Sequence, residues 1–282
     1  MAIIRYFREH KIKYYQQFKK VIIVGGSSGI GLCLAQELIT GVDALCLIAR
    51  NNEKLVQAKE FLQKKQKNAA IYCFSADIAN QQEIENALSE AITVMQGVDM
   101  LMVTAGIARP GLAVELDVAH YQTAINTNYL GSIYCVHYCL PFLQKNSCAK
   151  ILLTSSVAGL LAIYGYSPYG PSKSALSMYG QILQQELTRS SVSLSLLYPP
   201  DTDTEQLHYE MQFKPEVTKI ITGTAGLWKP EHVAQYTLKK LKHDAIAPGL
   251  IAKMILVFSS LLFPLFKKYA RILHRNISKN RL

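Results

Sequence analysis

The chain has 282 residues, of which 50% are apolar and only 18% are charged, which suits one α/β domain with a sizeable core and argues against a disordered protein. Its net charge of +10 lies at the two ends, because residues 1–20 hold six basic residues against one acid and residues 267–282 hold six against none. The body is therefore close to neutral, which argues against a nucleic-acid reader and favours an anionic membrane surface as partner of the basic ends, with simply solvated tails as the alternative.

The N-terminal residues 1–20 carry apolar side chains at roughly helical spacing with basic residues between them. This pattern predicts a short basic amphipathic segment, and the lack of a long apolar stretch argues against a secretory signal. The six cysteines include no C-x-x-C pair, and most lie in apolar runs. We expect reduced thiols, no metal site and a cytosol-facing protein.

Short apolar runs then alternate with stretches of helical length. The runs predicted as strands are 21–24, 44–49, 70–74, 100–104, 150–154 and 192–197. The stretches predicted as helices are 52–66, 80–95, 118–144 and 172–188. This alternation predicts an α/β fold, a Rossmann-type doubly wound parallel sheet with helices on both faces, as a single domain over residues 21–244.

Two later segments depart from the alternation. Residues 205–230 show no strand pattern and follow the sixth strand, where ligands of open α/β sheets bind, so we expect them to cover a substrate. Residues 245–282 are first apolar and then basic, but their longest uncharged stretch, 254–266, is short for a bilayer span of ~20 residues. We expect a membrane-associating segment of monotopic or re-entrant type; a helix packed on the core or on another subunit is the alternative.

A glycine-rich turn follows the first predicted strand and opens a helix. Gly25, Gly29 and Gly31 have the spacing G-x-x-x-G-x-G, with Ser27 between them. Residues without a Cβ let a pyrophosphate approach the backbone, and the helix N-terminus offers free N–H groups and a positive dipole end. The position of the turn predicts a dinucleotide site.

The end of the second strand distinguishes the two nicotinamide cofactors. The strand ends in Arg50 with no acid, and Lys54 follows one helical turn later. A cation accommodates the ribose 2′-phosphate, whereas a carboxylate would bind the free 2′-hydroxyl. The sequence therefore predicts NADPH/NADP+, unless Arg50 is only a surface residue. Asp77 closes the third strand and is predicted either to hold the adenine amino group or to cap the next helix.

The pair Tyr169-x-x-x-Lys173 follows the fifth strand, with Ser156 thirteen residues before the tyrosine. Four residues apart on a helix, the two side chains share one face. A neighbouring ammonium favours the phenolate and lowers the tyrosine pKa, which makes the hydroxyl a usable acid or base. Such a pair alone is common by chance, and its place in the chain gives it weight.

Together these motifs resemble the short-chain dehydrogenase/reductase family over residues 20–204. The matching features are the glycine turn, Ala105-Gly106, Asn128-Tyr129-Leu130-Gly131, Ser156, Tyr169-x-x-x-Lys173 and Pro199. The resemblance implies that Tyr169 donates a proton to a carbonyl oxygen that Ser156 polarises, with Ser155 as the fallback. It further implies that Lys173 lowers the tyrosine pKa and holds the nicotinamide ribose, and that Asn128 anchors a relay water or serves as a helix-kink residue.

The resemblance also extends the predicted cofactor site and shows two departures from the family. Further predicted cofactor contacts are Ser28, Ile30, Ile78, Ala105, Gly106, Pro199, Thr202 and Thr204, in addition to Tyr169 and Lys173. Val24 stands where the family often has threonine, and Thr104 stands where it often has asparagine or cysteine. The missing asparagine is a scaffold hydrogen-bonder, so its loss leaves the local packing open but removes no catalytic group.

The string Tyr198-Pro199-Pro200-Asp201-Thr202-Asp203-Thr204 resembles the 3-ketodihydrosphingosine reductase subfamily, as do the later Lys214-Pro215 and Lys229-Pro230-Glu231. The segment departs from that group at Glu205-Gln206, where it tends to have Pro-Gly. The implied reaction is NADPH-dependent reduction of the C3 ketone of 3-oxosphinganine, a sphingoid base with an aminoketone head, to sphinganine.

Other functions stay open at this point. Another lipophilic carbonyl, namely a steroid, retinoid or acyl ketone, is the first alternative; a non-catalytic cofactor-binding scaffold is the second, and a nucleic-acid binder the third. We expect a membrane-associated enzyme that faces the cytoplasm, on the endoplasmic reticulum if eukaryotic or on the inner membrane if bacterial. Family members are often homodimers or homotetramers, and the sequence leaves the oligomeric state open.

Overall fold

A computed structural model describes residues 13–66, 70–224 and 226–279, the side chains as far as residue 276. Its centre is a seven-stranded sheet in which every pairing is parallel, with the strand order β3-β2-β1-β4-β5-β6-β7. The strands are β1 Lys20–Val24, β2 Ala44–Ala49, β3 Ala70–Ser75, β4 Met100–Val103, β5 Ala149–Thr154, β6 Val192–Leu197 and β7 Ala245–Ile246. The predicted doubly wound sheet is confirmed.

Ten α-helices lie within the described ranges. They are α1 Gly29–Leu38, α2 Asn52–Lys65, α3 Gln81–Met95, α4 Val118–Ile125, α5 Gly131–Leu143, α6 Tyr169–Glu186, α7 Glu205–Met211, α8 Glu216–Gly223, α9 Pro230–Lys239 and α10 Leu250–Lys279. Helix α6 begins at Tyr169, three residues before the predicted start, so Tyr169 lies in the first turn and Lys173 in the second.

The strands are apolar on both faces because helices cover both sides of the sheet. One buried cluster joins the sheet to α3, α5 and α6. The other joins the opposite face to α1, α2 and α9, and Phe18, just before β1, is fully buried in it. The chain thus forms a single domain with one core layer on each face of the sheet. Together the two layers fix the positions of the carboxyl ends of β1, β4 and β5.

The stretch 118–144, predicted as one helix, forms three elements. Helix α4 passes into one π-helical turn, Asn126–Leu130, and then into α5. A π turn shifts the hydrogen-bond pattern by one residue and is frequent at functional sites. Here it carries Asn128, which is fully buried.

The N-terminal segment is described only in part. The predicted amphipathic pattern falls mostly on residues 1–12, which lie outside the described residues. The described part contains a short 3-10 turn, Tyr14–Gln17, whose Tyr15 is buried. Tyr15 and Phe18 thus belong to the core of the domain.

The C-terminal segment begins within the sheet. The short strand β7 pairs with β6 and lies beyond the predicted domain boundary at residue 245. Helix α10 follows, with non-helical dihedrals at Phe258 and a proline at Pro264. Its first turns are anchored, because Ala252 and Ile255 are buried.

Most of α10 lies on the surface of the domain, and its inner face contacts α8 and the loop after β5. Residues 250–276 are long and apolar enough to cross a membrane by length and composition, and only 11% of their apolar window is buried. Large apolar side chains along it are exposed, among them Val257 at 69% and Leu261 at 72%. The helix therefore packs on the domain through one face only, and its 30 residues exceed the 13 uncharged residues on which the short-segment prediction depended.

Candidate active site

The glycine turn joins β1 to α1 in a conformation that only glycine tolerates. Gly25 has a φ of +87°, and a Cβ there would lie 2.4 Å from the Ala105 amide nitrogen. A Cβ on Gly31 would lie 2.1 Å from the Gly25 carbonyl oxygen. The loops after β1 and β4 therefore touch through bare backbone, and the free N–H groups of the first turn of α1 open into the space beside them.

One cavity of about 1040 Å³ lies along the carboxyl edge of the sheet. It runs from the glycine turn past the ends of β2 and β4 to the loops after β5 and β6. The predicted cofactor residues that line it are Gly25, Ser27, Ser28, Gly29, Ile30, Gly31, Arg50, Lys54, Ile78, Ala105, Gly106, Tyr169, Lys173, Pro199, Thr202 and Thr204.

Asp77 is the predicted cofactor residue that is not among the lining residues of the cavity. Its carboxylate accepts a hydrogen bond of 3.0 Å from the Ala79 amide, and its own amide donates to Glu83. The carboxylate stabilises the turn that leads into α3. The helix-cap prediction for Asp77 is wrong, because Asn80 caps α3 by accepting from the Glu83 amide. Ala76 and Ile78, on either side of Asp77, line the cavity.

The two predicted 2′-phosphate residues stand at the far end of the cavity. Arg50 is exposed there, and Lys54 forms an ion pair with Glu205 at the start of α7. Glu205 is one of the positions at which the sequence departs from the subfamily that it resembles. The ion pair crosses the mouth of the cavity, so the Lys54 charge is shared between Glu205 and any anion bound beside Arg50.

Thr104 takes over the scaffold role of the asparagine that the family often has. Its hydroxyl donates to the carbonyl oxygens of Val24 and Gly25 at 3.0 and 3.2 Å. This hydroxyl therefore ties the end of β4 to the glycine turn. The local packing that the sequence left open is secured by a shorter side chain.

Tyr169, Lys173 and Ser156 converge at the middle of the cavity. The Lys173 ammonium lies 5.9 Å from the centroid of the Tyr169 ring and donates to the Thr154 carbonyl at 2.8 Å. Ser156 ends the loop after β5, where its oxygen accepts from the Ala158 amide. All three residues are buried and lie at the cavity wall.

Ser155, the fallback for Ser156, has a different environment. Its hydroxyl donates to the Lys173 carbonyl oxygen at 2.9 Å and lies 2.7 Å from the Ser177 hydroxyl. These bonds fasten β5 to α6 and leave no hydroxyl proton for a substrate. Ser156 is therefore the serine whose hydroxyl faces the tyrosine.

The pKa shifts of Tyr169 and Lys173 differ from those expected for a Tyr–Lys pair alone. Burial raises the pKa of Tyr169, and the nearby Glu210 carboxylate raises it further, while hydrogen bonds from Ser156 and Gln206 lower it. Desolvation of the phenolate is the largest effect, so the net direction for Tyr169 is upward, opposite to the contribution predicted for Lys173. Burial also lowers the pKa of Lys173 to about 8, and Glu210 partly opposes that change.

Both polar atoms of the Asn128 side chain form hydrogen bonds. Its oxygen accepts from the Ile107 amide at 2.8 Å, and its nitrogen donates to the Ile107 carbonyl and to the Ser172 hydroxyl, both at 2.9 Å. Asn128 therefore clamps the loop after β4 to α6. A Cβ on Gly106 would lie 3.1 Å from both the Asn128 oxygen and the Lys173 nitrogen, so the three meet at one point.

The structure adds a buried polar cluster to which the sequence analysis assigned no role. Glu210 on α7 is buried; its carboxylate accepts from the Tyr166 hydroxyl at 2.7 Å and from the Gln206 amide at 2.9 Å. Lys214, whose side chain is fully buried, donates to Asp201 at 2.8 Å. In the sequence, Asp201 and Lys214 stood out only as parts of the subfamily motifs, and Glu210 only as part of the segment 205–230 that departs from the strand–helix alternation.

The residues of the cavity fit a nicotinamide dinucleotide. The glycines leave the backbone of the first turn bare, the N-terminus of α1 supplies free N–H groups, and Arg50 supplies a cation at the other end. Gly106 leaves room beside Lys173, where a Cβ would crowd the ammonium. Among the described residues, no group of three histidine, cysteine or acidic side chains is placed to hold a metal ion.

Curated proteins similar to this chain are reductases by name. The 3-dehydrosphinganine reductase of Danio rerio is 36% identical over 222 residues, which are 78% of this chain and 67% of that protein. The 3-ketodihydrosphingosine reductase of Dictyostelium discoideum is 31% identical over 273 residues, which are 90% of this chain and 82% of that protein.

Solved structures share the fold at lower identity. Levodione reductase has a TM-score of 0.74 at 19% identity and covers 80% of this chain and 91% of its own. A short-chain dehydrogenase/reductase from Burkholderia phymatum, solved in complex with NAD, has a TM-score of 0.74 at 20% identity and covers 93% and 95%. The model of the short chain dehydrogenase family matches residues 19–214, and this chain belongs to that family.

Proposed function

We propose that this protein reduces the C3 ketone of 3-oxosphinganine to sphinganine with NADPH. The observation that carries the proposal is one cavity in which Tyr169, Lys173 and Ser156 meet a dinucleotide-shaped cleft on one side and the C-terminal apolar helix on the other. The similar curated proteins carry the name of this reaction. The predicted identity of the substrate and the local chemistry therefore agree.

In this proposal the bound nicotinamide supplies the hydride, and the protein supplies orientation and a proton. Ser156 donates a hydrogen bond to the carbonyl oxygen and fixes its position beside the tyrosine. Tyr169 gives its phenolic proton to the developing alkoxide, and its raised pKa keeps the hydroxyl protonated until the transfer. Lys173 holds the ribose hydroxyls and stabilises the phenolate that remains, while Asn128 keeps the loop after β4 against α6.

Arg50 and Lys54 support the choice of NADPH over NADH. The guanidinium lies at the end of β2 with no carboxylate of the same strand beside it, which suits a 2′-phosphate. Lys54 adds a second cation, which forms an ion pair with Glu205 at the same end of the cavity. Exchange of Glu205 for the phosphate as its partner needs only a side-chain movement, because both groups of the pair are partly exposed.

Helix α10 supports a lipid substrate and a membrane surface. Leu250, Ile251, Ala252 and Phe266 line the catalytic cavity, while the opposite face of the helix is exposed and apolar. Lys267, Lys268 and Arg271 follow the apolar part, where they would meet anionic headgroups. A single-chain lipid can therefore pass from the bilayer along α10 while its head reaches Tyr169.

The test is NADPH oxidation by the detergent-solubilised protein with 3-oxosphinganine, beside steroid, retinal and acyl ketones. We expect the highest kcat/KM for 3-oxosphinganine, and loss of turnover in Tyr169→Phe. Turnover of another ketone alone would keep the reductase and discard the sphingoid assignment.

A flotation assay with vesicles tests the membrane part. Full-length protein should float with vesicles that contain phosphatidylserine, and the variant with Val257→Ser, Leu261→Ser and Leu265→Ser should not. These three side chains are exposed by 69%, 72% and 64%, so their replacement leaves the core intact. Equal flotation of both proteins, or of neither, would contradict membrane attachment through α10.

A further inference from the structure

The wall of the cavity opposite the cofactor cleft contains a buried charge cluster. Glu210 is 6% exposed and Lys214 is 4% exposed, and the Lys214 ammonium lies 2.8 Å from Asp201 and 4.0 Å from Glu210. The cluster thus contains two carboxylates and one cation. Lys214 makes its short contact with Asp201 and its longer one with Glu210, so Glu210 is the less closely paired of the two carboxylates.

Glu210 is linked to the reaction centre by two side chains. Its Oε2 accepts from Tyr166, whose ring centroid lies 5.4 Å from that of Tyr169, and its Oε1 accepts from Gln206. Gln206 in turn hydrogen-bonds to Tyr169. A single side chain, Gln206, therefore connects the Glu210 carboxylate to the Tyr169 hydroxyl, which would contact the substrate carbonyl.

The carboxylate retains capacity for a further donor. Two oxygens have about four lone-pair sites, and the two hydrogen bonds to Glu210 use one on each oxygen. Glu210 also lines the cavity. A buried carboxylate is stabilised by a close cation, and at Glu210 the Lys214 ammonium stands 4.0 Å away while it holds Asp201 at 2.8 Å.

We propose that Glu210 is the specificity residue that recognises the substrate, by accepting a hydrogen bond and ion pair from the ammonium group on the carbon next to the ketone. The inference rests on the proposed function, because the sphingoid aminoketone carries its cation one carbon from the reacting carbonyl. Tyr166 and Gln206 act as positioning residues that aim the carboxylate. Steroid, retinoid and acyl ketones lack this cation, so the same residue selects against them.

Burial raises the pKa of Glu210, while Gln206, Tyr166 and Lys214 lower it. Its neighbours from other elements are Asp201, which raises its pKa, and Tyr169 and Lys173, both of which experience its charge. An ammonium beside the carboxylate favours the ionised form. Substrate binding and ionisation of Glu210 therefore reinforce each other.

The test compares two ketones in one enzyme: 3-oxosphinganine and its analogue with hydrogen in place of the amino group. In Glu210→Gln the ratio of kcat/KM for the aminoketone over the analogue should fall about thirtyfold, as on truncation of one partner of a buried charge pair. Most of the fall should lie in KM, and Glu210→Asp should restore part of it. Glu216→Gln, an exposed glutamate on the next helix outside the cavity, should leave the ratio unchanged.

Inhibition of the wild-type protein provides a second measurement that depends on no variant. Sphinganine, with its free ammonium, should inhibit at least tenfold more strongly than its N-acetyl derivative, because only the former pairs with a carboxylate. Thermal unfolding and NADPH fluorescence report whether each variant is folded and binds cofactor.

The outcomes separate the two proposals. A parallel loss for both ketones in Glu210→Gln, with the ratio unchanged, would overturn ammonium recognition and leave the reductase standing. Equal inhibition by sphinganine and its N-acetyl derivative would do the same. A wild-type protein that reduces other ketones but not 3-oxosphinganine would overturn both.

Discussion

The two sides of the catalytic cavity are built in different ways. The cofactor side, between β1 and β5, depends on backbone: bare glycines, a helix N-terminus and a threonine that ties two loops together. The substrate side, from α7 to α10, depends on side chains, namely a buried charge cluster and an apolar helix that is mostly exposed. A backbone-built site binds the same cofactor in enzymes with many different reactions, whereas substitution of side chains changes which substrate is bound.

Tyr169 stands where the two sides meet, and its removal has the largest expected effect. Tyr169→Phe keeps the ring but deletes the proton donor, so kcat should fall about a thousandfold. NADPH binding, followed by fluorescence, should persist because the cofactor side is untouched. Tyr179→Phe on the same helix is the matched control and should retain activity. A Tyr169→Phe enzyme within tenfold of wild type would contradict the assignment.

The backbone character of the cofactor side is tested by two glycines. Gly31→Ala places a methyl group 2.1 Å from the Gly25 carbonyl, so the turn must shift and unfolding free energy should fall by about 2 kcal/mol. NADPH affinity should fall with it. Gly223→Ala, at the end of α8, meets nothing within 4 Å and should leave both nearly unchanged. Thermal unfolding with and without NADPH measures both effects.

Cofactor choice should depend on cations rather than on the glycine turn. The double change Arg50→Ala and Lys54→Ala should lower the ratio of kcat/KM for NADPH over NADH about tenfold. Glu205→Gln, which releases Lys54 from its ion pair, should raise the same ratio two- to threefold. No change in the ratio for the double variant would place the 2′-phosphate elsewhere.

The smallest effect is a coupling between the two sides. Lys173 has its pKa lowered to about 8, so its ammonium is lost as pH rises through that value and the rate should decline there. The Glu210 charge raises the pKa of both Lys173 and Tyr169, so Glu210→Gln should move the alkaline decline to lower pH. The measurement uses the ketone without an amino group, which does not titrate. A shift to higher pH would contradict the coupling.

The predicted residues of the cofactor side, apart from Asp77, line one cavity, and the signals that identified them are local. A glycine run after an apolar strand, and two side chains four residues apart on a helix, fix their geometry within a few residues. Asp77 illustrates the limit, because a carboxylate at a strand end can face a ligand or its own turn. Only the fold shows that it bonds to Ala79 and Glu83.

The pKa of Tyr169 shows the same limit in the chemistry. Spacing predicts that Lys173 shares its face, but burial depends on every element packed around the ring. The contribution of Glu210 comes from a residue 41 positions later in the chain. Long-range packing therefore decided the direction of the shift.

By itself the sequence determined the order of strands and helices along the chain, the parallel sheet, the glycine turn and the Tyr169–Lys173 pair. These features follow from hydrophobic periodicity and helical spacing, which act over short distances. Only the tertiary structure decided that residues 118–144 pass through a π-helical turn at Asn128 and that β7 precedes the apolar helix. It also decided that Glu210 accepts a hydrogen bond from Tyr166 beside the reaction centre. The physical reason is that these features are contacts between distant segments, and their free energy depends on burial that no local pattern encodes.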